Sequence, residues 1–209
     1  MLNYADRGLN PHRRDAIQQS GGQRILDIGC GNGAYVLAFN GQRDIHGVDY
    51  RHFDAWNAAP ALFGVSDAQK IDRPDGDYDT VTCFETLEHL PDPEAALREC
   101  HRLTRGNLIL TVPNCAITDG MKRSGLIYNH WNDPTHVNFW DMDDICALVE
   151  KNGFKVRKRQ YINKVNIGYV MFEALGLPAF LSRPLGKLFG LVQRNRYHMT
   201  TLVIADKVD

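Results

Sequence analysis

Three groups of residues carry side chains and spacings that could do chemistry. The first is Asp27-Ile28-Gly29-Cys30-Gly31-Asn32-Gly33, where an apolar run from Arg24 to Ile28 breaks into glycines ahead of a helical segment starting at Ala34. A glycine turn at a helix start lets bare backbone approach a ligand closely. Gly29, Gly31 and Ala34 also satisfy the G-x-G-x-x-A form of a dinucleotide fingerprint. Asp49 lies twenty residues after Gly29, where that motif wants an acceptor for a ribose diol. The second group is Glu85-x-x-Glu88-His89, which a helix or turn would place on one face as a hard-metal constellation for Mg²⁺ or Mn²⁺. The third is His136, in the irregular aromatic stretch Asn129 to Trp140. An imidazole there could act as a base toward an acceptor or tie the loop down by hydrogen bonds. His130, Asp133 and His136 make a weaker metal pattern, because Asp133-Pro134 favours a turn over a continuous helix.

Asp27 bears on which cofactor the glycine turn serves. A carboxylate beside the turn repels a pyrophosphate and attracts an ammonium or sulfonium. The run Leu26 to Gly33 resembles the first motif of class I S-adenosylmethionine-dependent methyltransferases, of the type 11 or ubiquinone O-methyltransferase-like kind. The resemblance continues in order through Gly47-Val48-Asp49, Ser66-Asp67-Ala68, the segment Phe84-Glu85-Thr86-Leu87-Glu88-His89-Leu90-Pro91-Asp92-Pro93, and Leu110-Thr111-Val112-Pro113-Asn114. It covers roughly residues 20–160.

The resemblance implies S-adenosylmethionine as cofactor. The Gly29, Cys30 and Gly31 backbone, continuing to Gly33, would hold its methionine part, and Asp49 would accept both ribose hydroxyls. Tyr50 would lie near the adenine, Asp67 would accept from the adenine amino group, the Ala68 N–H would face the ring, and Phe84 would line the pocket. His136 is similar to the His of a Gly-Thr-His segment in ubiquinone-biosynthesis O-methyltransferases, with Pro134 in place of the Gly. Glu85, Glu88 and His89 are similar to the sites of metal-dependent relatives, in which a later His completes the set. Many metal-independent class I enzymes share the same segment, so a divalent metal is a candidate cofactor but not the favoured one. The expected reaction is methyl transfer to a hydroxyl of a small-molecule, glycan-type or quinone-like acceptor, with His136, and His89 beside it, serving the acceptor. Such an in-line displacement asks the protein mainly to position a nucleophile and exclude water. The alternatives are a nucleic-acid 2′-O-methyltransferase and a non-catalytic cofactor-binding or membrane-surface adaptor.

These residues need elements to hold them. Asn10-Pro11 opens a helix to about Gln19. Short strands at Arg24 to Ile28, Ile45 to Val48, Asp79 to Cys83, Leu108 to Val112, Phe154 to Tyr161 and Thr201 to Ala205 alternate with helices at Ala34 to Phe39, Pro93 to Leu103 and Asp141 to Lys151. That alternation means an α/β, Rossmann-like doubly wound sheet. The resemblance implies seven strands, with the last antiparallel. One domain over 1–209 is expected, with a loop insert at about 114–140 and an apolar-basic helical insert at about 165–196. Long inserts in compact domains tend to be functional. The second carries too many large apolar residues to leave exposed. It reads as a lid, a dimer contact or a peripheral membrane contact, and it would suit an anionic or amphiphilic acceptor.

The 209 residues carry a net charge of -1, which argues against a general nucleic-acid binder. Residues 1–150 have 13 basic and 22 acidic side chains, whereas residues 151–209 have 11 and 3. Five cysteines without a C-x-x-C pair suggest free thiols in a reducing compartment. Met1 to Arg14 does not read as a signal peptide, and no stretch reaches the roughly 20 apolar residues of a membrane span. A cytoplasmic protein is expected.

Overall fold

The structure is a computed structural model that describes residues 9–124, 133–165, 167–192 and 197–208. Seven strands form one sheet: β1 Arg24–Ile28, β2 Asp44–Asp49, β3 Phe63–Val65, β4 Tyr78–Phe84, β5 Thr104–Pro113, β6 Phe154–Val165 and β7 Tyr197–Lys207. Their order is β3-β2-β1-β4-β5-β7-β6. Only β7 runs against its neighbours, β5 and β6; the other pairs are parallel.

The connecting helices are α1 Pro11–Gln19, α2 Ala34–Phe39, α3 Pro93–Leu103, α4 Asp119–Ser124, α5 Met142–Lys151, α6 Ile167–Ala174 and α7 Ala179–Val192. Their starts follow local chemistry. Asn10 accepts from the His12 and Arg13 N–H groups ahead of Pro11, and Asp92 accepts from Ala95 N ahead of Pro93. Asp141 and Asp144 close a reciprocal cap on α5. The central strands are buried on both faces, as parallel sheets require. One core packs α3 and α5 against Leu26, Val81 and Leu110; the other packs α1 and α2 against Ile25, Ile45 and Ile109.

Two features depart from the sequence reading, the third strand and the loop insert. β3 is only three residues long, and two 3-10 turns, Asp54–Ala58 and Pro60–Leu62, precede it. None of these has a periodic signal. The loop insert contains α4, while 125–132, which include His130, Trp131 and Asn132, lie outside the described residues. The second insert is a pair of helices broken at Gly176-Leu177-Pro178; Asn166, Arg194 and Arg196 lie outside the described residues. Its helices pack chiefly on each other rather than on the sheet.

Candidate active site

The strand order reverses at β1, between β2 and β4, and a crevice opens at the carboxyl ends of these strands. It holds a cavity of about 490 Å³. Its floor is Ile28, Gly29, Val48 and Asp49; one wall is Tyr50, Ser66, Asp67 and Ala68; the other is Glu85, Thr86, His89 and Leu90, with Thr135 at the rim.

The floor is built from backbone. Gly29 has φ +72°, and a Cβ there would sit 2.1 Å from Thr86 Oγ1, so the turn and β4 can meet only over a glycine. Gly31 has φ +53°, and among the described residues no heavy atom lies within 4 Å of where its Cβ would be. That space is open to a ligand. The loop is pinned from below by Trp56, whose Nε1 donates to the Gly31 carbonyl at 2.9 Å. Trp56 is buried and stacks on Phe63 with ring centroids 5.0 Å apart.

Asp49 shows what the floor is prepared to hold. It is 7% exposed, and its Oδ2 accepts the Gly31 N–H at 2.9 Å. Its Oδ1 is buried and, among the described residues, has no hydrogen-bond partner. A buried acceptor left unmade costs about 1–3 kcal/mol, so the atom calls for a donor such as a ribose hydroxyl. Asp27 lies beneath the turn, buried, with Thr82 Oγ1 donating to its Oδ1 at 2.6 Å. Burial pushes its carboxyl up to about 7, against the pull of Thr82 and of the Arg13 guanidinium.

Other expected residues fall as follows. Tyr50 is exposed on the wall, with the Arg51 guanidinium 5.4 Å from its ring. Asp67 shares that wall with Ala68, while its Oδ1 also closes a turn by accepting from Gln69 N and Nε2. Cys30 turns away: its Sγ fills the space over Gly47, and burial pushes the thiol up. Phe84, expected on the cavity wall, instead packs against Tyr35 at 5.1 Å, beneath the Arg13 guanidinium. The inward side chain of β4 at that level belongs to the α1 face of the sheet.

The carboxylates and imidazoles divide into two sets. Glu85, at φ +49°, forms an ion pair with Arg13 of α1 at 2.5 Å. Glu88, His89 and His136 come together, one ligand-type atom from each lying within 4.8 Å of the others. Glu88 is buried; desolvation and the Glu85 charge push its carboxyl well up, which favours the neutral acid. Its Oε2 is without a partner among the described residues. The expected metal constellation is therefore divided. Glu85, the second carboxylate oxygen source that a hard dication would want, is drawn off to Arg13.

His89 is the imidazole on the cavity wall, and His136 stands behind it with ring centroids 4.8 Å apart. His89 Nδ1 faces the Thr135 carbonyl at 3.1 Å, and His136 Nε2 lies 3.8 Å from Asp133 Oδ2. Hydrogen bonds from Thr135 hold Asp133 below the usual carboxylate range. Arg13 and Trp56 have no local signature in the sequence, since each reaches the site from a segment that carries no motif.

The 3-2-1-4-5-7-6 sheet with its reversed seventh strand, the glycine turn and the Asp at the end of β2 define a class I methyltransferase. The chain belongs to the methyltransferase domain family, whose model matches residues 4–159. It is similar to the ubiquinone biosynthesis O-methyltransferase of Pseudomonas aeruginosa (strain UCBPP-PA14), 32% identical over 122 residues, covering 51% of this chain and 52% of that one. The chain thus matches about half the length of that relative. Among solved structures, a SAM-dependent methyltransferase from Archaeoglobus fulgidus superimposes with a TM-score of 0.65 at 22% identity, covering 93% of this chain and 90% of that one. An S-adenosylmethionine-dependent methyltransferase from Mesorhizobium loti does so with 0.65 at 18%, covering 98% and 100%. The chain thus has the fold of these S-adenosylmethionine-dependent methyltransferases. The open space over Gly31 and the unpartnered Asp49 oxygen fit that cofactor.

Proposed function

We propose that the protein methylates a hydroxyl of a small, anionic or amphiphilic acceptor, and that His89 takes the hydroxyl proton. When bound, S-adenosylmethionine supplies a methyl group on a sulfonium. Asp49 would hold the ribose, the Gly29–Gly33 backbone the methionine part, and Asp67 and Ala68 the adenine. The carrying observation is the imidazole on the cavity wall. With Nδ1 facing the Thr135 carbonyl, a neutral His89 donates from Nδ1 and keeps its lone pair on Nε2. His136, braced by Asp133, limits the tilt of that ring. It is a positioning residue in this reading, whereas the sequence pattern put it first as the base. The products are a methyl ether, the neutral thioether and a proton on His89. The name of the Pseudomonas relative supports a hydroxyl acceptor.

The test is methyl transfer from radiolabelled donor to catechol-type and glycan-type hydroxyl acceptors. His89→Ala is expected to lower kcat by roughly 10²–10⁴-fold with donor affinity kept. His136→Asn should shift the pH profile with a smaller loss, and excess EDTA should leave the rate unchanged. Full activity of His89→Ala would remove the proposed base, and loss of activity in EDTA would restore the metal reading.

A further inference from the structure

The helical pair α6–α7 is built inside out. In α7, Ser182, Gly186 and Phe189 are spaced i, i+4 and i+7 and so share one stripe of the helix, from which Phe189 reaches α6. Ser182 and Gly186 are buried, and Phe189 meets Phe172 with ring centroids 6.4 Å apart. Gly168 of α6 permits that approach, since a Cβ there would sit 2.7 Å from Phe189. Apart from the Phe172–Phe189 pair, the large apolar residues lie mostly away from that stripe. Phe180 is 74% exposed, Leu188 65% and Leu191 82%, with Leu181 beside them, Leu185 at the edge toward the stripe and Leu175 in the turn between the helices. A soluble helix pair buries its large residues and turns small or polar ones outward. Small residues at the helix contact and large ones outside is the arrangement of helices in an apolar medium.

The charges say which medium. At 100° per residue, Arg183 and Lys187 fall on one flank of the exposed apolar face, where their stems can lie along it and their heads reach outward. α7 contains no acidic residue, and residues 151–209 carry a net charge of +8. A second copy would set like charge against like charge, whereas an anionic lipid surface is complementary to this one. At 14 residues α7 is about 21 Å long, short of a roughly 30 Å hydrocarbon core. Among the described residues no helix is long and apolar enough to cross a membrane. The pair is suited to lying in the interface.

Register fixes where this places the active site. β5 ends at Pro113, paired with Thr200, and β6 and β7 continue as a two-stranded ribbon to the Val165–Tyr197 pair. The ribbon leaves from the carboxyl end of β5, the same end of the sheet as the crevice. We infer that α6–α7 is a monotopic anchor that docks the enzyme on an anionic bilayer with the cavity end of the sheet toward the lipid. This inference does not rest on the acceptor chemistry.

The experiment is flotation of the full chain with phosphatidylcholine vesicles, with and without roughly one-third phosphatidylglycerol. The wild type is expected to float with the anionic vesicles, weakly with neutral ones, and less at high salt. Arg183→Gln with Lys187→Gln should weaken binding roughly tenfold. Leu188→Asp with Leu191→Asp should abolish it. Both double variants should keep the wild-type affinity for S-adenosylmethionine, measured by calorimetry, which shows that the domain is intact. A wild type that stays with the unbound fraction, or that floats equally on neutral vesicles, overturns the inference. So does a concentration-dependent dimer that the Leu188→Asp and Leu191→Asp pair dissociates, because a second copy would then cover the face.

Discussion

Asp27 and Asp49 are both buried carboxylates at the ends of adjacent strands, but they are prepared differently. Asp49 has one oxygen spent on Gly31 and one waiting. Replacing it with Ala removes the acceptor for a bound hydroxyl and loosens the loop, and donor affinity is expected to fall roughly ten- to a hundredfold by calorimetry. Asp27 is held up to about 7, above its unfolded 3.8. Between those values the folded state binds more protons than the unfolded one, so stability from this group is whole in acid and lost as pH rises toward 7. Asp27→Asn keeps an oxygen for the Thr82 hydroxyl. It is therefore expected to raise the melting temperature near pH ~8 and to lose that advantage near pH ~4. A cationic donor favours the charged form, so wild-type affinity should increase as pH rises through about 7, and that slope should vanish in Asp27→Asn. A pH-independent wild-type affinity would place Asp27 outside the donor's field.

At the scale of elements, the site depends on where strands begin as well as where they end. Asp79, in β4, accepts the Gln23 and Arg24 N–H groups at 2.7 and 2.9 Å and the Arg105 guanidinium at 2.6 Å. The Arg24 N–H, together with Arg105, pulls its carboxyl down to about 2. One side chain thus ties the start of β1 to the start of β4, at the end of the sheet away from the cavity. Asp79→Ala leaves two backbone donors unmade and is expected to cost about 1–3 kcal/mol in chemical denaturation. Donor affinity should fall much less than stability, because the far ends of the strands are fixed by their own ladder.

What was legible at this scale follows from what each element requires locally. The glycine turn was readable because only glycine tolerates the left-handed backbone and the Thr86 contact, so the requirement is written in residue type. β3, three residues without periodicity, was not readable, since its place comes from pairing with β2. The division of Glu85 from Glu88 was not readable either. It depends on Arg13, 72 residues away, and on a positive φ at Glu85 that spacing along a regular helix does not anticipate.

For the whole molecule, the opposed charges of the two parts map onto space. Asp27, Asp49, Asp67, Glu85 and Glu88 gather at the carboxyl ends of β1 to β4 and in the loops that follow. The basic surplus follows residue 150, in β6 and the helical pair beyond it. The apolar content of that pair asks for a cover, whether acceptor, second copy or membrane, but counting residues does not say which face they occupy. The stripe of Ser182 and Gly186 does say so, once small residues are read as the contact and large ones as the outside.

The ribbon beyond Pro113 has a consequence for how this enzyme can vary. Val165 and Tyr197 are direct partners across a ladder, so anything placed between them has to bridge only the ~5 Å between neighbouring strands. Pairing from Phe154–Lys207 to Ile162–Thr200 holds the register before the connection is reached. The tip of this hairpin is therefore a graft site. The helical pair can be shortened or exchanged there without disturbing the strand ends that carry Gly29 and Asp49 or the turn that carries His89.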